Sequence, residues 1–161
     1  MRVNDVMSTP ARVVALGETA SAAWEAMRLH RTHHLVVTDA DGRVAGVVSA
    51  GDLGGRHGEP VRNGRLVSDL MTEKVVAAAP DTTVREAANL MRGHAVNCLP
   101  VFDGSKLAGI VTALDLLELI GRGAERPVAK AERRILKNRG ELPHRQTAAK
   151  SMGQAKRGAR R

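Results

Sequence analysis

The sequence predicts an α/β fold: one β-α-β-β-α unit of about 63 residues used twice, the copies packed with pseudo-twofold symmetry, followed by a basic, partly disordered C-terminal tail. Three observations predict it. The chain repeats itself, each copy alternates short apolar runs with helical periodicity, and the charge changes sharply after residue 121.

The repeat fixes the domain organisation of the chain. Val3-Asn4-Asp5-Val6-Met7-Ser8 aligns with Val67-Ser68-Asp69-Leu70-Met71-Thr72 at an offset of 64. The offset holds through Thr19/Thr83, Ala23/Ala87, Met27/Met91, His30/His94, Leu35/Leu99 and Asp39/Asp103. Ala40 has no counterpart, and from there the offset is 63. Gly46, Val48 and Asp52-Leu53 then meet Gly109, Val111 and Asp115-Leu116, giving 18 identities in 50 aligned positions. The segments divide as repeat one at 1–58, whose polar, glycine-rich end runs into a linker at 59–66, then repeat two at 67–123 and a tail at 124–161.

Each element follows from local pattern. Arg12–Leu16 and Val75–Ala78 are short apolar runs read as strands. Asp81, with Thr82 and Thr83 beside it, is expected to cap a helix. Val84, Ala87, Ala88 and Met91 give that helix one apolar face, as Ala20, Ala23, Trp24 and Met27 do in repeat one. His34–Thr38 and Leu99–Phe102 read as strands. Asp39-Ala40-Asp41-Gly42 and Asp103-Gly104-Ser105 read as hairpin turns, and Arg43–Val48 and Leu107–Val111 as the returning strands. Asp52 and Asp115 are expected to cap a second helix, clearest in Leu114–Ile120.

These residues carry a resemblance. The sequence resembles a tandem pair of CBS (cystathionine-β-synthase) domains, a Bateman module, over residues 3 to about 120. The matching signatures are Val-x-Asp-(Val/Leu)-Met-(Ser/Thr) at each start, Leu99-Pro100-Val101 before a hairpin, and Gly-hydrophobic-Val-(Ser/Thr)-x-x-Asp at each end. The resemblance implies a ligand-sensing module for AMP, ADP, ATP or S-adenosylmethionine, without catalysis, paired into a homodimer and signalling to a separate effector protein.

The terminal motif has chemistry of its own. A strand ends and a helix begins within seven residues, and a helix start offers unpaired N–H groups and a positive dipole end to an anion. The resemblance implies ribose on Asp52 and Asp115, phosphate near Ser49 and Thr112, and adenine against Val47 and Ile110. It also implies that each cleft is completed by the other copy. The Asp115 cleft would use Ser8, Thr9, Val13 and Val14. The Asp52 cleft would use Thr72, Val75, Val76 and Ala77. His33 and His34 would add phosphate contacts at the Asp115 cleft, whereas the equivalent Asn97-Cys98 is uncharged. A simpler reading stands beside this one: Asp52 and Asp115 as helix caps worth about 1 kcal/mol each.

Other chemistry finds little support. His30, His33 and His34 have i, i+3, i+4 spacing but straddle a predicted helix end, with no carboxylate or thiol at zinc spacing. Cys98 reads as a small core residue. No Walker loop, Gly-x-Ser-x-Gly or His-Glu-x-x-His is present, and no catalytic residue is assigned. One cysteine excludes an intrachain disulfide, and no apolar run approaches the ~20 residues of a membrane span. Together with the lack of a signal-peptide pattern, this points to the cytoplasm.

Charge sets the tail apart. Residues 1–121 hold 12 Lys+Arg against 14 Asp+Glu, whereas residues 122–161 hold 13 against 3. A segment from Pro127 to Asn138 has a thin apolar edge and is expected to form a short helix. Residues 146–161 have almost no apolar bulk and are expected to be disordered. Such a tail suits nucleic acid or another polyanion, which makes a dimerisation platform with a nucleic-acid-binding tail the alternative function.

Overall fold

The computed structural model describes residues 1–123. The expected tail helix and the 146–161 segment lie outside the described residues. Repeat one contains β1 (Val13–Ala15), α1 (Ala20–His30), β2 (His34–Thr38) and β3 (Val44–Ser49), then a one-turn helix α2 (Glu59–Arg62). Repeat two contains α3 (Val84–His94), β4 (Cys98–Asp103), β5 (Lys106–Thr112) and α4 (Ala113–Gly123). β1 pairs parallel with β2, and β2 antiparallel with β3. β4 and β5 form the equivalent hairpin. The fold is the expected mixed α/β pair.

The first residues of each repeat are exchanged. Val67 donates its N–H to Glu18 O at 2.8 Å, and Val3 donates to Thr82 O at 2.8 Å, the same bond 64 residues apart. Ser8 and Ile110 exchange two backbone bonds (2.9 and 3.0 Å), as do Thr72 and Val47 (2.8 and 3.0 Å). Val3, Val6 and Met7 therefore join the core of repeat two, and Val67, Leu70 and Met71 join that of repeat one. Neither repeat closes its core with its own starting segment. In each starting motif the aspartate accepts a backbone N–H three residues back: Asp5 from Arg2 at 2.7 Å and Asp69 from Leu66 at 2.8 Å.

The glycine of the repeated motif is explained by this crossing. A Cβ on Gly109 would lie 2.7 Å from Ser8 O and 3.0 Å from Met7 Sδ. A Cβ on Gly46 would lie 2.8 Å from Thr72 O and 2.9 Å from Met71 Sδ. Only a hydrogen fits where the other repeat's backbone passes.

Four expectations are corrected. The strand over Val75–Ala78 shrinks to one bridge, Ala78 with Val101. In repeat one Val36 donates to Arg12 O at 2.9 Å; Pro100, its counterpart, has no N–H, so that rung cannot form. Asp81 does not cap α3. Thr83 does, accepting from Glu86 N at 3.2 Å while Thr83 N donates to Glu86 Oε2 at 2.9 Å, a reciprocal capping box. Thr19 caps α1, accepting from Ala22 N at 3.1 Å. On α3, Ala88 is exposed, and Leu90 packs against the core in its place.

The fourth correction is the second helix of repeat one, which does not form. Gly54 and Gly55 adopt φ of 77° and 63°, outside the helical region, whereas repeat two runs Leu114-Asp115-Leu116-Leu117 straight into α4. The diverted chain makes α2 inside the expected linker. Arg62 of α2 is buried, donates to Leu53 O at 2.7 Å and Gly55 O at 2.8 Å, and stacks 4.6 Å from the Trp24 ring centroid. A cation thus satisfies carbonyls that a continuing helix would have bonded itself.

Candidate functional site

Two clefts lie between the repeats. The first, about 610 Å³, is bordered by Thr112 and Asp115 at the start of α4 and by Ile110 of β5. Ser8 and Thr9 reach it from the exchanged start of repeat one, and Arg12, Arg31, His33 and His34 supply its basic wall. The second, about 210 Å³, is bordered by Ser49 and Asp52 after β3, by Val47, and by Thr72, Val75 and Val76 from repeat two. The larger falls within the range usual for small-molecule sites.

Most residues expected at the clefts are brought together, and three are not. Val13 and Val14 lie in β1 and border neither cleft; Val13 is exposed, and Val14 packs into the repeat-one core. Arg12, the residue before them, occupies the cleft wall instead. Ala77 is exposed and lies outside the Asp52 cleft. Lys74 borders the Asp52 cleft, and His34 borders both clefts. Histidines alone therefore do not set the charge difference between them. Lys74 and Arg12 stand at non-matching repeat positions, so comparing the copies could not have found them.

The aspartates are held rigidly. Asp115 Oδ2 accepts from Thr112 N at 2.7 Å and from Thr112 Oγ1 at 2.8 Å, and Asp115 N donates to Thr112 Oγ1 at 3.3 Å. Asp52 and Ser49 make the same three bonds at 2.8, 2.7 and 3.2 Å. Ser49 and Thr112 therefore take the capping position expected of the aspartates, which stand three residues on and complete a capping box. One oxygen of each carboxylate is committed. Asp115 Oδ1 and Asp52 Oδ1 accept no hydrogen bond among the described residues.

This geometry changes the anion argument. Ala113 N donates to Asn97 O at 2.9 Å, and Asp115 N is taken by Thr112. Ala50 N likewise donates to His33 O at 2.8 Å. The helix start at α4 is mostly satisfied internally, and the Thr112 hydroxyl already donates to Asp115. Negative charge in the larger cleft has to be met by side chains.

His34 is a weak cation for that purpose. Burial, reinforced by neighbouring His33, lowers its pKa below the usual imidazole value, against the opposing pull of Asp52 and Asp115. Its imidazole is neutral at pH 7 and offers a hydrogen bond rather than a charge. Burial pushes the Cys98 thiol up to about 11. It stays a thiol, not a nucleophile. No helix among the described residues is long and apolar enough to cross a membrane.

Comparison with known proteins agrees with this architecture. Residues 3–53 and 67–122 match the CBS domain family. The CBS domain-containing protein YhcV of Bacillus subtilis is 30% identical over 115 residues, covering 71% of this chain and 81% of that protein. A homoserine O-acetyltransferase of Methanohalophilus mahii is 25% identical over 126 residues, covering 78% of this chain, but the chain spans only 26% of that enzyme. Among solved structures, the CBS domain pair of protein MJ0100, in complex with 5′-methylthioadenosine and S-adenosyl-L-methionine, superposes with a TM-score of 0.69 at 25% identity, covering 76% of this chain and 98% of that one. The CBS-domain containing protein ATU1752 of Agrobacterium tumefaciens gives 0.64 at 25% identity, covering 73% and 91%. With both repeats matched in order and the same pair architecture found in solved relatives, the chain belongs to the CBS domain family.

Proposed function

We propose that this chain is a regulatory module that binds an adenine nucleotide between its repeats and signals to a separate effector protein. The observation that carries the reading is the pair of capped carboxylates. Each is fixed by its own Ser/Thr, keeps Oδ1 free of hydrogen bonds among the described residues, and borders a cleft with an apolar wall at Ile110 or Val47. A carboxylate oxygen held this way accepts from ribose hydroxyls without reordering. The CBS pair of MJ0100, solved with two adenosine-containing ligands, supports the same ligand class.

The Asp115 cleft is the stronger of the two: it is larger, Asp115 is half-buried where Asp52 is exposed, and Arg12 and Arg31 face it. A thermal-shift panel of AMP, ADP, ATP, S-adenosylmethionine and 5′-methylthioadenosine tests the reading. One of these at 100 times its Kd raises stability by about 2.7 kcal/mol. A flat response to all five, with nucleic acid co-purifying through the charged tail, would favour the dimerisation platform instead.

The effector-facing unit is a homodimer. Leu114, Leu117 and Ile120 are 62%, 63% and 65% exposed, and their spacing of three puts them on one face of α4. A stripe of this kind is covered in a stable soluble assembly, and a second copy covers it symmetrically. Leu117→Glu is expected to convert the dimer to monomer in light scattering. A wild-type protein already monomeric at micromolar concentration refutes this part.

A further inference from the structure

A cavity beside Trp24, distinct from the Asp52 cleft and adjoining the Asp115 cleft, measures about 590 Å³. It lies where repeat one lacks a second helix. In repeat two, α4 runs beside α3 and sends Leu116 into the core. Arg56 corresponds in sequence to Leu119 of that helix. In repeat one the turn at Gly54 and Gly55 carries the chain away, and Trp24 and Met27 are left bordering the space.

Apart from Thr32 and Ala50, the rest of the border is basic. Arg28, Arg31, His33 and Arg56 face the cavity, and no aspartate or glutamate does. Arg28 is paired with Glu25 at 3.0 Å. Arg31 and Arg56 make no ion pair among the described residues. The matching positions in repeat two are Ala95, Asn97 and Leu119 for Arg31, His33 and Arg56, so this charge is particular to repeat one. Arg31 ends α1 with a left-handed backbone, φ 51°, and it and His33 border both this cavity and the Asp115 cleft.

We propose that this cavity takes the polyphosphate end of a nucleotide whose nucleoside occupies the Asp115 cleft. The inference rests on the nucleotide reading above for its nucleoside end. Its anionic end stands on separate ground. Unpaired guanidinium groups on a concave surface without carboxylates attract a multivalent anion, and guanidinium binds phosphate oxygens in pairs. The helix start at α4, mostly satisfied by Asn97 and Thr112, has little left to offer a polyphosphate. A methylthioadenosine or sulfonium ligand would leave the arginines unmatched, so the cavity selects di- and triphosphates.

The test is calorimetric titration of the full chain with ATP, AMP, adenosine and inorganic tripolyphosphate. Wild type is compared with Arg56→Gln and with Arg85→Gln, an exposed arginine on α3 that controls for net charge and leaves any contribution of the basic tail unchanged. ATP is expected to bind at least about tenfold tighter than AMP, the scale of one charge-assisted contact. Arg56→Gln removes most of that advantage while AMP and adenosine affinities hold, and Arg85→Gln changes neither. Equal affinity for AMP and ATP in wild type, or equal losses in the two variants, overturns the cavity. Arg56-dependent tripolyphosphate binding without any adenosine binding overturns the nucleoside end and keeps the anion site.

Discussion

Gly109→Ala is expected to lower stability by about 2–3 kcal/mol, near the upper end for overpacking, and Gly46→Ala by a similar amount. The added methyl on Gly109 meets Ser8 O at 2.7 Å and Met7 Sδ at 3.0 Å. The methionine can shift, but Ser8 cannot, because two backbone bonds hold it to Ile110. Relief therefore requires the exchanged segment to lift off β5, which uncovers the repeat-two core and moves Ser8 and Thr9 away from the larger cleft. Gly121→Ala is the control: nothing lies within 4 Å of a Cβ there, and alanine favours the helix by up to about 1 kcal/mol. Urea unfolding compares the three. A Gly109→Ala midpoint at or above wild type would mean that the segment is not held as described.

The second large effect concerns ligand. Asp115→Ala removes both the capping-box carboxylate that holds Thr112 and the open oxygen. The cap costs about 1 kcal/mol of stability, and a lost hydrogen bond to a charged group weakens binding by about 1.5–3 kcal/mol, roughly tenfold to more than a hundredfold. Asp115→Asn separates the two, since its amide oxygen can still cap while the carboxylate charge is gone. Asp52→Ala is expected to lose less affinity, because Asp52 is exposed and its cleft is about a third of the volume. Titrations with AMP and ATP read both; equal losses in Asp115→Ala and Asp52→Ala would remove the ranking of the clefts.

Where copy and periodicity carried the information, the fold was legible. β2 matches its expected bounds, α1 carries Ala20, Ala23 and Met27 and α3 carries Ala87 and Met91 into the core, and both hairpins turn at Gly42 and Gly104 with positive φ. The failures differ in range: the capping box at Thr83 and Glu86 and the turn at Gly54 and Gly55 are local, whereas the others depended on a partner far along the chain. The strand at Val75–Ala78 was lost because its neighbour is a proline with no N–H to give. The second helix of repeat one was lost to glycines that Arg62 then stabilises from α2. Arg12 and Lys74 joined the clefts without any matching counterpart in the other repeat.

By itself, then, the sequence determined the duplication, most of the order of elements and the positions of the two repeated carboxylates, because these follow from local spacing and from comparing the chain with itself. The tertiary structure alone decided which oxygen of each carboxylate stays open, which starting segment closes which core, and where the missing helix leaves a basic cavity. The exchange depends on backbone passing within 3 Å of where a glycine Cβ would stand, the diverted chain on Arg62 donating back to Leu53 and Gly55, and the open oxygen on which way each carboxylate turns toward its own Ser or Thr; none of these is written in the spacing of a motif.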